Sequence, residues 1–384
     1  MKQSQPPTPN SSPKYAAELQ FGLALLALLL VTFFVYWPGI TGPFVLDDAG
    51  NLSPMGGNGA IDNWPNFLKF VFGGDSGPTG RPVSMLAFLI DAQFWPPSIA
   101  AFKYTNILIH LLTATSVCWL SYCIMLAMRI EDKRAAWLAL LVSALWVLHP
   151  LNATTTLYVV QRMTQLMTLF AVVSLICYVK GRMLMVQDRT RGAGLLVAAL
   201  FPFGLLSVLS KENGVLLLLL IVSMEHSIFR EQVKTDLFKL WYRLGVLVPL
   251  VIIFVYLGLT APASMEAYAY RDFNLSERLL TESRVLCTYI AKMFLPTALG
   301  AGLYHDDIVV STGLLQPITT LFSTLGLLAI CVVAFTWRKS QPMLFFGVAW
   351  FFAMQLLEST YLPLELYFEH RNYLAMIGPL IAAV

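Results

Sequence analysis

Residues 20–37 read QFGLALLALLLVTFFVYW, a run without a charged side chain. A helix rises about 1.5 Å per residue, so this run crosses most of a hydrocarbon core about 30 Å thick. The preceding segment, residues 3–13, is too polar for the apolar part of a signal peptide, and no small-residue cleavage site follows Trp37. We therefore expect a cytoplasmic polar tail over residues 1–19 and a retained membrane helix after it.

Similar apolar runs recur along the rest of the chain. Apolar residues make up 57% of the protein and charged residues 12%, against about 45–50% and 25% in soluble domains. The further runs are 104–128, 135–149, 156–179, 193–209, 214–229, 244–260, 317–337, 342–357 and 373–384. We predict an all-α polytopic membrane protein of about ten transmembrane helices, with one domain over residues 20–384. The last run stops at Val384 in mid-hydrophobic sequence, so we expect the natural chain to continue.

Several functional classes are excluded by the same sequence. The net charge is only +3 and no basic run could follow a phosphate backbone, which argues against nucleic-acid binding. The five cysteines form neither a disulfide framework nor a metal knuckle. No phosphate-binding glycine loop, nucleophile elbow or HExxH motif is present. An activated donor must therefore reach the protein within or across the membrane, not as a cytosolic nucleotide.

The charged residues predict the orientation. With the amino terminus inside, the inner segments hold 15 of the 25 basic residues and 7 of the 22 acidic ones, which gives +8 inside and −5 outside. This satisfies the positive-inside rule. The first extracytoplasmic loop then covers residues 38–103. Residues 277–296 are helix-like but charged, and a crossing there would put Arg338 and Lys339 outside, so we interpret them as an interfacial helix on the outer side.

The unusual polar residues then share the outer face. Ionisable residues at membrane depth are costly and usually face a cavity or a partner, so we expect one site there. The residues concerned are Asp47-Asp48, Arg81, Asn106, His110, His149, Gln161-Arg162, Lys211-Glu212, Arg271, His305-Asp306-Asp307, Glu365 and Glu369-His370-Arg371.

Each cluster also has a structural interpretation. Asp47-Asp48 is a general base or a solvated pair, and Asn106 with His110, one helical turn apart, is a packing pair or part of a site. Arg162 binds phosphate or forms an ion pair. Lys211 and Glu212 pair with each other or cap a turn, and Arg371 forms a salt bridge with Glu365 or Glu369. His149-Pro150 marks the end of a helix. His305-Asp306-Asp307 is a solvated loop or a divalent-cation site.

The order of several short blocks resembles the GT-C glycosyltransferases. The closer likeness is to the membrane part of the transmembrane-and-tetratricopeptide-repeat (TMTC) protein O-mannosyltransferases and their bacterial relatives. Two departures are the lack of tetratricopeptide repeats and the order Glu369-His370-Arg371. The blocks are Phe44-Val45-Leu46-Asp47-Asp48, Gly80-Arg81-Pro82, Asn106-Ile107-Leu108-Ile109-His110, His149-Pro150, Ser210-Lys211-Glu212-Asn213-Gly214 and Glu369-His370-Arg371-Asn372-Tyr373-Leu374.

The resemblance implies a GT-C-like helical bundle that uses a polyprenyl-phosphate-linked sugar on the extracytoplasmic face. It places a catalytic carboxylate at Asp47 first and Asp48 second, acting as general base towards a hydroxyl of an exported protein, such as a pilin, or of a glycan. The donor phosphate would be bound by Arg162, Arg371, Lys211 and Arg81. The substrate-binding residues would be Asn106, His110, His149, Gln161, Glu212, His305, Asp306 and Glu369.

The implied location is a bacterial inner membrane with the site facing the periplasm. Metal dependence stays open, since Asp47, Asp48 and the triplet His305-Asp306-Asp307 could together bind a divalent cation. The alternative function is a transporter or flippase of a lipid-linked sugar. Such proteins tend to show repeated halves and helices interrupted at mid-bilayer, and the sequence shows neither. The sugar and the acceptor are not identified by the sequence.

Overall fold

The computed structural model describes residues 13–57, 59–74, 77–296 and 308–384, and these residues fold into helices without a β-strand. The long helices are α1 (Pro13–Tyr36), α6 (Ile99–Ala127), α7 (Asp132–Val147), α9 (Arg162–Leu184), α10 (Arg189–Ala198), α12 (Leu217–His226), α14 (Val248–Glu266), α15 (Leu275–Phe294), α16 (Thr319–Thr336) and α17 (Pro342–Gln355). The short helices are α2 (Asp48–Leu52), α3 (Pro54–Gly57), α4 (Trp64–Phe72), α5 (Pro82–Phe88), α8 (Asn152–Leu157), α11 (Leu205–Ser210), α13 (Asp236–Tyr242), α18 (Asn372–Ala375) and α19 (Ile377–Ala383).

Six helical stretches of the described chain are long and apolar enough to cross a membrane. They are Ala16–Thr41, Ile99–Ala127, Val159–Leu184, Arg189–Ser210, Asp236–Tyr270 and Thr319–Thr336, while Pro342–Gln355 is apolar but shorter. The multi-pass helical membrane protein predicted from the sequence is therefore supported in its class. The predicted runs 135–149, 214–229 and 373–384 also fall on helices, but these are short, so the number of about ten crossings stays a prediction.

The centre of the bundle is formed by α6, which packs against both α7 and α9. Trp146 of α7 and Tyr178 of α9 are fully buried there. The outer helices α14 and α16 instead expose large apolar side chains, for example Leu259 and Phe322. Exposed apolar patches of this extent are rare on soluble monomers, and lipid is the environment that suits them.

Polar contacts gather four connecting segments at one end of the bundle. This end, called the polar end below, comprises the connections before α6 (41–57, 59–74 and 77–98), between α7 and α9 (148–161), between α11 and α12 (211–216), and between α17 and α18 (356–371). Ion pairs and hydrogen bonds join the segments directly: Asp48 to Val160, Arg81 to Glu212 and Lys211 to Glu358. At the opposite end Glu225 pairs with Arg182 and Lys234.

Helix α15 lies across the polar end. Near its start, Arg278 donates to the Glu358 carbonyl after α17. Near its finish, the carbonyl of Met293 bonds the ring of His149, which follows α7. Since both partners belong to the polar end, α15 does not run between the two ends of the bundle. Its position relative to a membrane surface, expected for residues 277–296, stays a prediction.

The predicted boundaries shift slightly at two other places. Helix α6 begins at Ile99, inside the expected loop 38–103. The helix can include the charged Lys103 because this side chain is buried and its ammonium group donates to the carbonyls of Gly39 (3.2 Å) and Gly42 (2.9 Å). Helix α1 begins at Pro13, inside the expected polar tail.

Gly378→Ala tests the packing of α19 on α17. A methyl group at position 378 would lie 2.5 Å from Cβ of the fully buried Trp350. We expect the variant to lose about 1–3 kcal/mol of stability through overpacking. Thermal unfolding in detergent measures this loss. The control is Gly326→Ala in α16, where a methyl group meets nothing within 4 Å; an equal loss in both variants would contradict the packing.

Candidate functional site

The acidic pair splits into one anchoring carboxylate and one exposed carboxylate. Asp48 is fully buried, and its two oxygens accept hydrogen bonds from the backbone N–H groups of Val160 (2.7 Å) and Val45 (3.0 Å). Asp47 is exposed, its backbone N–H donates to the Tyr158 hydroxyl at 2.8 Å, and the same hydroxyl bonds the Asp47 side chain. Asp48 therefore anchors the loop, and the side chain of Asp47 is exposed at the protein surface.

The segment Tyr158–Thr164 connects this pair to two cations. The chain breaks between α8 and α9 because Tyr158 is extended, with ψ 113°, before a 3-10 turn over Val159–Gln161. After the break, Met163 Sδ lies 3.2 Å from Arg81 Nη1, and the Thr164 hydroxyl accepts from Lys211 Nζ at 3.2 Å. One short segment thus contacts the acidic pair on one side and Arg81 and Lys211 on the other.

Arg81 forms a half-buried ion pair with Glu212 through two guanidinium nitrogens. Arg81 Nε lies 3.0 Å and Nη2 lies 2.9 Å from Glu212 Oε2, and the two side chains are 21% and 19% exposed. Thr79 donates to the other oxygen of Glu212 at 2.9 Å. The predicted mutual pairing of Lys211 with Glu212 is not what the structure shows, since Glu212 is turned towards Arg81 and Lys211 pairs elsewhere.

Lys211 and Arg371 share a single carboxylate, that of Glu358. Lys211 Nζ lies 3.0 Å from Glu358 Oε1, and Arg371 Nε lies 3.5 Å from Glu358 Oε2. Arg371 also donates to the carbonyls of Leu366 (3.0 Å) and Glu365 (2.5 Å). The expected salt bridge of Arg371 to Glu365 or Glu369 is therefore replaced by Glu358, with the Glu365 side chain paired to Arg271 instead.

A second buried pair extends this cluster into α15. Arg278 lies 3.1 Å from Glu282, one helical turn away, and Arg371 approaches the same Glu282 oxygen at 3.6 Å. Arg278 also donates to the carbonyls of Glu358 (2.7 Å), Thr360 (2.9 Å) and Leu364. A fully buried guanidinium thus fixes the backbone that carries Glu358.

The protonation states follow from these neighbours. Burial by itself raises the pKa of Glu358, but Lys211 and Arg371 outweigh it and hold that pKa at about 2. Burial and the nearby Lys211 hold the pKa of His370 well below its usual range. Burial raises the pKa of Glu282 despite the two arginines. At neutral pH Glu358 is therefore an anion and His370 is neutral.

Arg162 lies in a separate, saturated site. Its guanidinium donates to Asn106 Oδ1 (2.8 Å) and to the carbonyls of Ala87 (2.8 Å) and Phe102 (2.9 Å), and pairs with Asp91 at 2.5 Å. The side chain is 0% exposed. This is the ion-pair alternative for Arg162, and it leaves the guanidinium little capacity for an anionic ligand.

The other predicted polar residues of the bundle also have protein partners. His110 bonds the Tyr373 hydroxyl (2.7 Å) and the Val147 carbonyl (3.0 Å), which fits its interpretation as a packing residue. His149 follows the end of α7 and bonds Met293. Gln161 Oε1 accepts from Thr164 at 2.7 Å.

Glu369 lies in a neighbouring buried pair with Lys292, at 3.7 Å. Burial raises its pKa, against the opposing effect of Lys292 and of the Thr154 hydroxyl. Lys292 also donates to the Tyr367 hydroxyl at 3.0 Å. Glu369 thus joins the end of α15 to the chain before α18.

A metal site receives no support from the described part of the chain. Residues 13–57, 59–74, 77–296 and 308–384 contain no group of three or more His, Cys, Asp and Glu side chains that could hold an ion. His305, Asp306 and Asp307 lie outside the described residues. Their predicted role in substrate or cation binding therefore stays open.

Several residues of the site are not among those expected from the sequence. Glu358 follows the apolar run of α17 directly, so a charge at the end of a span was the available signal. Arg278 and Glu282 are spaced i, i+4 on an amphipathic helix, which predicts a local pair but not its contact with Arg371. Nothing in the sequence pairs Asp91 with Arg162.

Comparisons with protein-family models, with curated proteins and with solved structures find no match to this chain.

The two members of the acidic pair differ in what their loss does to the fold. Asp48→Ala removes the acceptors of two backbone N–H groups, so we expect a loss of about 2 kcal/mol or more of stability. Asp47→Ala changes an exposed side chain and is expected to stay within about 0.5 kcal/mol of wild type. Thermal unfolding of both variants in detergent measures the difference. Equal destabilisation would contradict the separate roles.

The pH dependence of stability provides a second test of Asp48. Burial raises its pKa from 3.8 to about 6, although the N–H groups of Val45 and Val160 oppose the shift. In the unfolded chain the carboxyl ionises first as pH rises, so its contribution to stability is complete below about pH 4 and is lost through about pH 6. Asp48→Asn does not titrate. We expect wild type to lose melting temperature relative to this variant between pH 4 and pH 7, whereas a constant difference would contradict the buried carboxyl.

Proposed function

We propose that this protein transfers a sugar from a polyprenyl-phosphate donor to a hydroxyl group of an exported protein or glycan, at the polar end on the extracytoplasmic side of the membrane. The observation that carries the proposal is the segment Tyr158–Thr164. At its start Tyr158 bonds Asp47, which carries an exposed carboxylate, and at its end Met163 and Thr164 contact the cations Arg81 and Lys211. A base for a hydroxyl and cations for a phosphate are what such a transfer requires.

Asp47 acts as the general base. Its carboxylate accepts the hydroxyl proton while the acceptor oxygen forms a bond to the anomeric carbon of the sugar. General-base assistance of this kind contributes about 10²–10⁴-fold to the rate. Asp48 is the less suitable base because both of its oxygens already accept backbone hydrogen bonds. Its role is to fix Asp47 at the polar end.

The cations receive the leaving group. As the bond between the anomeric carbon and the phosphate oxygen breaks, the electron pair leaves with the phosphate, whose charge becomes more negative by one. Arg81 is the most exposed of the four predicted phosphate ligands, and Lys211 lies beside it. Arg371 acts behind Lys211, through Glu358. Arg162 is left out of the phosphate site because Asp91 and Asn106 occupy it.

The charge of the ion-pair cluster around Lys211 suits a singly charged phosphodiester. With the carboxylates ionised, the cluster holds one more cation than anion, and His370 adds no charge. Low dielectric at a buried end strengthens the attraction between this excess and a donor phosphate. The residues counted are Arg81, Lys211, Arg278 and Arg371 against Glu212, Glu282 and Glu358.

Asp47→Asn tests the proposed reaction. Purified protein in nanodiscs would receive polyprenyl-phosphate mannose or arabinose and a serine- and threonine-containing peptide, and transfer would be followed by mass spectrometry. We expect the rate of transfer to fall about 10²–10⁴-fold, since the base is lost while the fold is kept. Asp62→Asn, a change at another exposed carboxyl of the same loop, serves as the matched control and is expected to keep full activity.

Two results would contradict the proposal. Undiminished transfer by Asp47→Asn removes Asp47 from the mechanism. Absence of transfer by wild type, together with movement of the lipid-linked sugar across vesicle membranes, would instead establish the transporter or flippase alternative.

A further inference from the structure

Glu358 occupies the centre of the ion-pair cluster, although the sequence did not mark it as a site residue. Each of its two oxygens faces a different cation, Lys211 at 3.0 Å and Arg371 at 3.5 Å. These cations come from segments 160 residues apart in the chain. Glu358 is itself buried, with 7% exposure. One carboxylate therefore determines the spacing of two positive groups.

The position of Glu358 is fixed from behind. Arg278 donates to the carbonyl of Glu358 and to those of Thr360 and Leu364, so three points of the connection after α17 are attached to one guanidinium. The carboxylate of Glu282 in turn pairs with Arg278 and Arg371. A carboxylate on a backbone held at three points loses little further freedom when it binds its cations.

We propose that Glu358 is a positioning residue that keeps Lys211 cationic and holds its ammonium group in place for the phosphate of the lipid-linked donor. This inference rests on the proposed function. Glu358 itself does not touch the donor, because both of its oxygens are turned to Lys211 and Arg371. It acts through Lys211, whose ammonium group also donates to Thr164 on the segment that contacts the acidic pair.

The surroundings of Lys211 explain why an anion is needed there. Burial lowers the pKa of Lys211, and the positive charge of Arg81 lowers it further. Glu358 opposes this most strongly, and Glu212, already paired with Arg81, opposes it less. Arg371 is a further cation of the cluster, and His370 is neutral. Without the charge of Glu358, Lys211 releases its proton at a lower pH and no longer attracts a phosphate above that pH.

Binding of an anionic prenyl lipid over a range of pH tests this inference. The probe is farnesyl methyl phosphodiester, whose single charge does not change between pH 6 and pH 9. Its dissociation constant would be measured by calorimetry on the full chain in nanodiscs for wild type, Glu358→Gln, and the double variant Glu358→Gln with Lys211→Arg. Arginine stays protonated throughout this range.

We expect wild type to bind with little change from pH 6 to pH 9. Glu358→Gln should lose affinity as pH rises and bind about tenfold to a hundredfold more weakly at pH 9 than at pH 6, the loss of one charged hydrogen bond. The double variant should regain a flat pH profile, since its cation does not titrate. A residue needed only for stability would change affinity without producing this pH dependence and its rescue.

Glu225→Gln is the matched control. Glu225 is also a buried carboxylate between two cations, Arg182 (2.7 Å) and Lys234 (3.2 Å), but at the opposite end of the bundle. Its variant should keep the flat profile of wild type. If Glu358→Gln does not fold, Glu358→Asp replaces it. The shorter side chain keeps the charge farther from Lys211, so a smaller loss of affinity with rising pH is expected.

The outcomes separate the inference from the proposed function. Binding by wild type together with a flat pH profile in Glu358→Gln, or in Glu358→Asp where that variant replaces it, would overturn the role of Glu358 and leave the donor site intact. A pH-dependent loss in Glu225→Gln as large as in Glu358→Gln would also overturn it. Absence of binding by wild type would overturn the donor site itself and the role of Glu358 with it.

Discussion

Buried charge must be neutralised where it lies, and this requirement shapes the polar end. In low dielectric an isolated ammonium or carboxylate costs several kcal/mol, so each buried ion here faces an ion of opposite sign. Lys211, Glu358, Arg371, Glu282 and Arg278 form one continuous chain of such contacts, which joins the connection 211–216, the connection 356–371 and helix α15. The connections between the helices converge on these ion pairs, and the candidate site is a product of this convergence.

The first loop is attached by the same principle, through two buried carboxylates. Asp48 binds backbone N–H groups beside the break between α8 and α9, and Asp91 binds Arg162 just after that break. These two contacts hold the loop at both ends of its helical part. Asp47 is held by the Tyr158 hydroxyl, and its side chain remains exposed. Anchoring and exposure are thus divided between neighbouring residues.

The helical membrane class could be predicted from the sequence because apolar runs are a local property. Many of the polar residues at one end could also be predicted, because charge asymmetry is local too. The ion-pair partners of these polar residues could not be predicted from the sequence. The guanidinium of Arg162 is a group that can bind phosphate, but in the folded chain it is occupied by Asp91 and Asn106. Likewise Lys211 stands next to Glu212 in sequence and pairs with Glu358 in space, because the 3-10 turn that starts at Glu212 sends the two side chains in different directions. The resemblance to GT-C enzymes supplied the proposed chemistry, which the fold alone does not.

The placement of α15 has a consequence for biosynthesis. Its partners at Glu358, Thr360 and Leu364 are translated about eighty residues after Arg278. Until those residues are made, the ion-pair partner that the structure shows for Arg278 is Glu282, one turn along the same helix. The contacts that Arg278 makes at the polar end can therefore form only after the chain has been synthesised through Leu364.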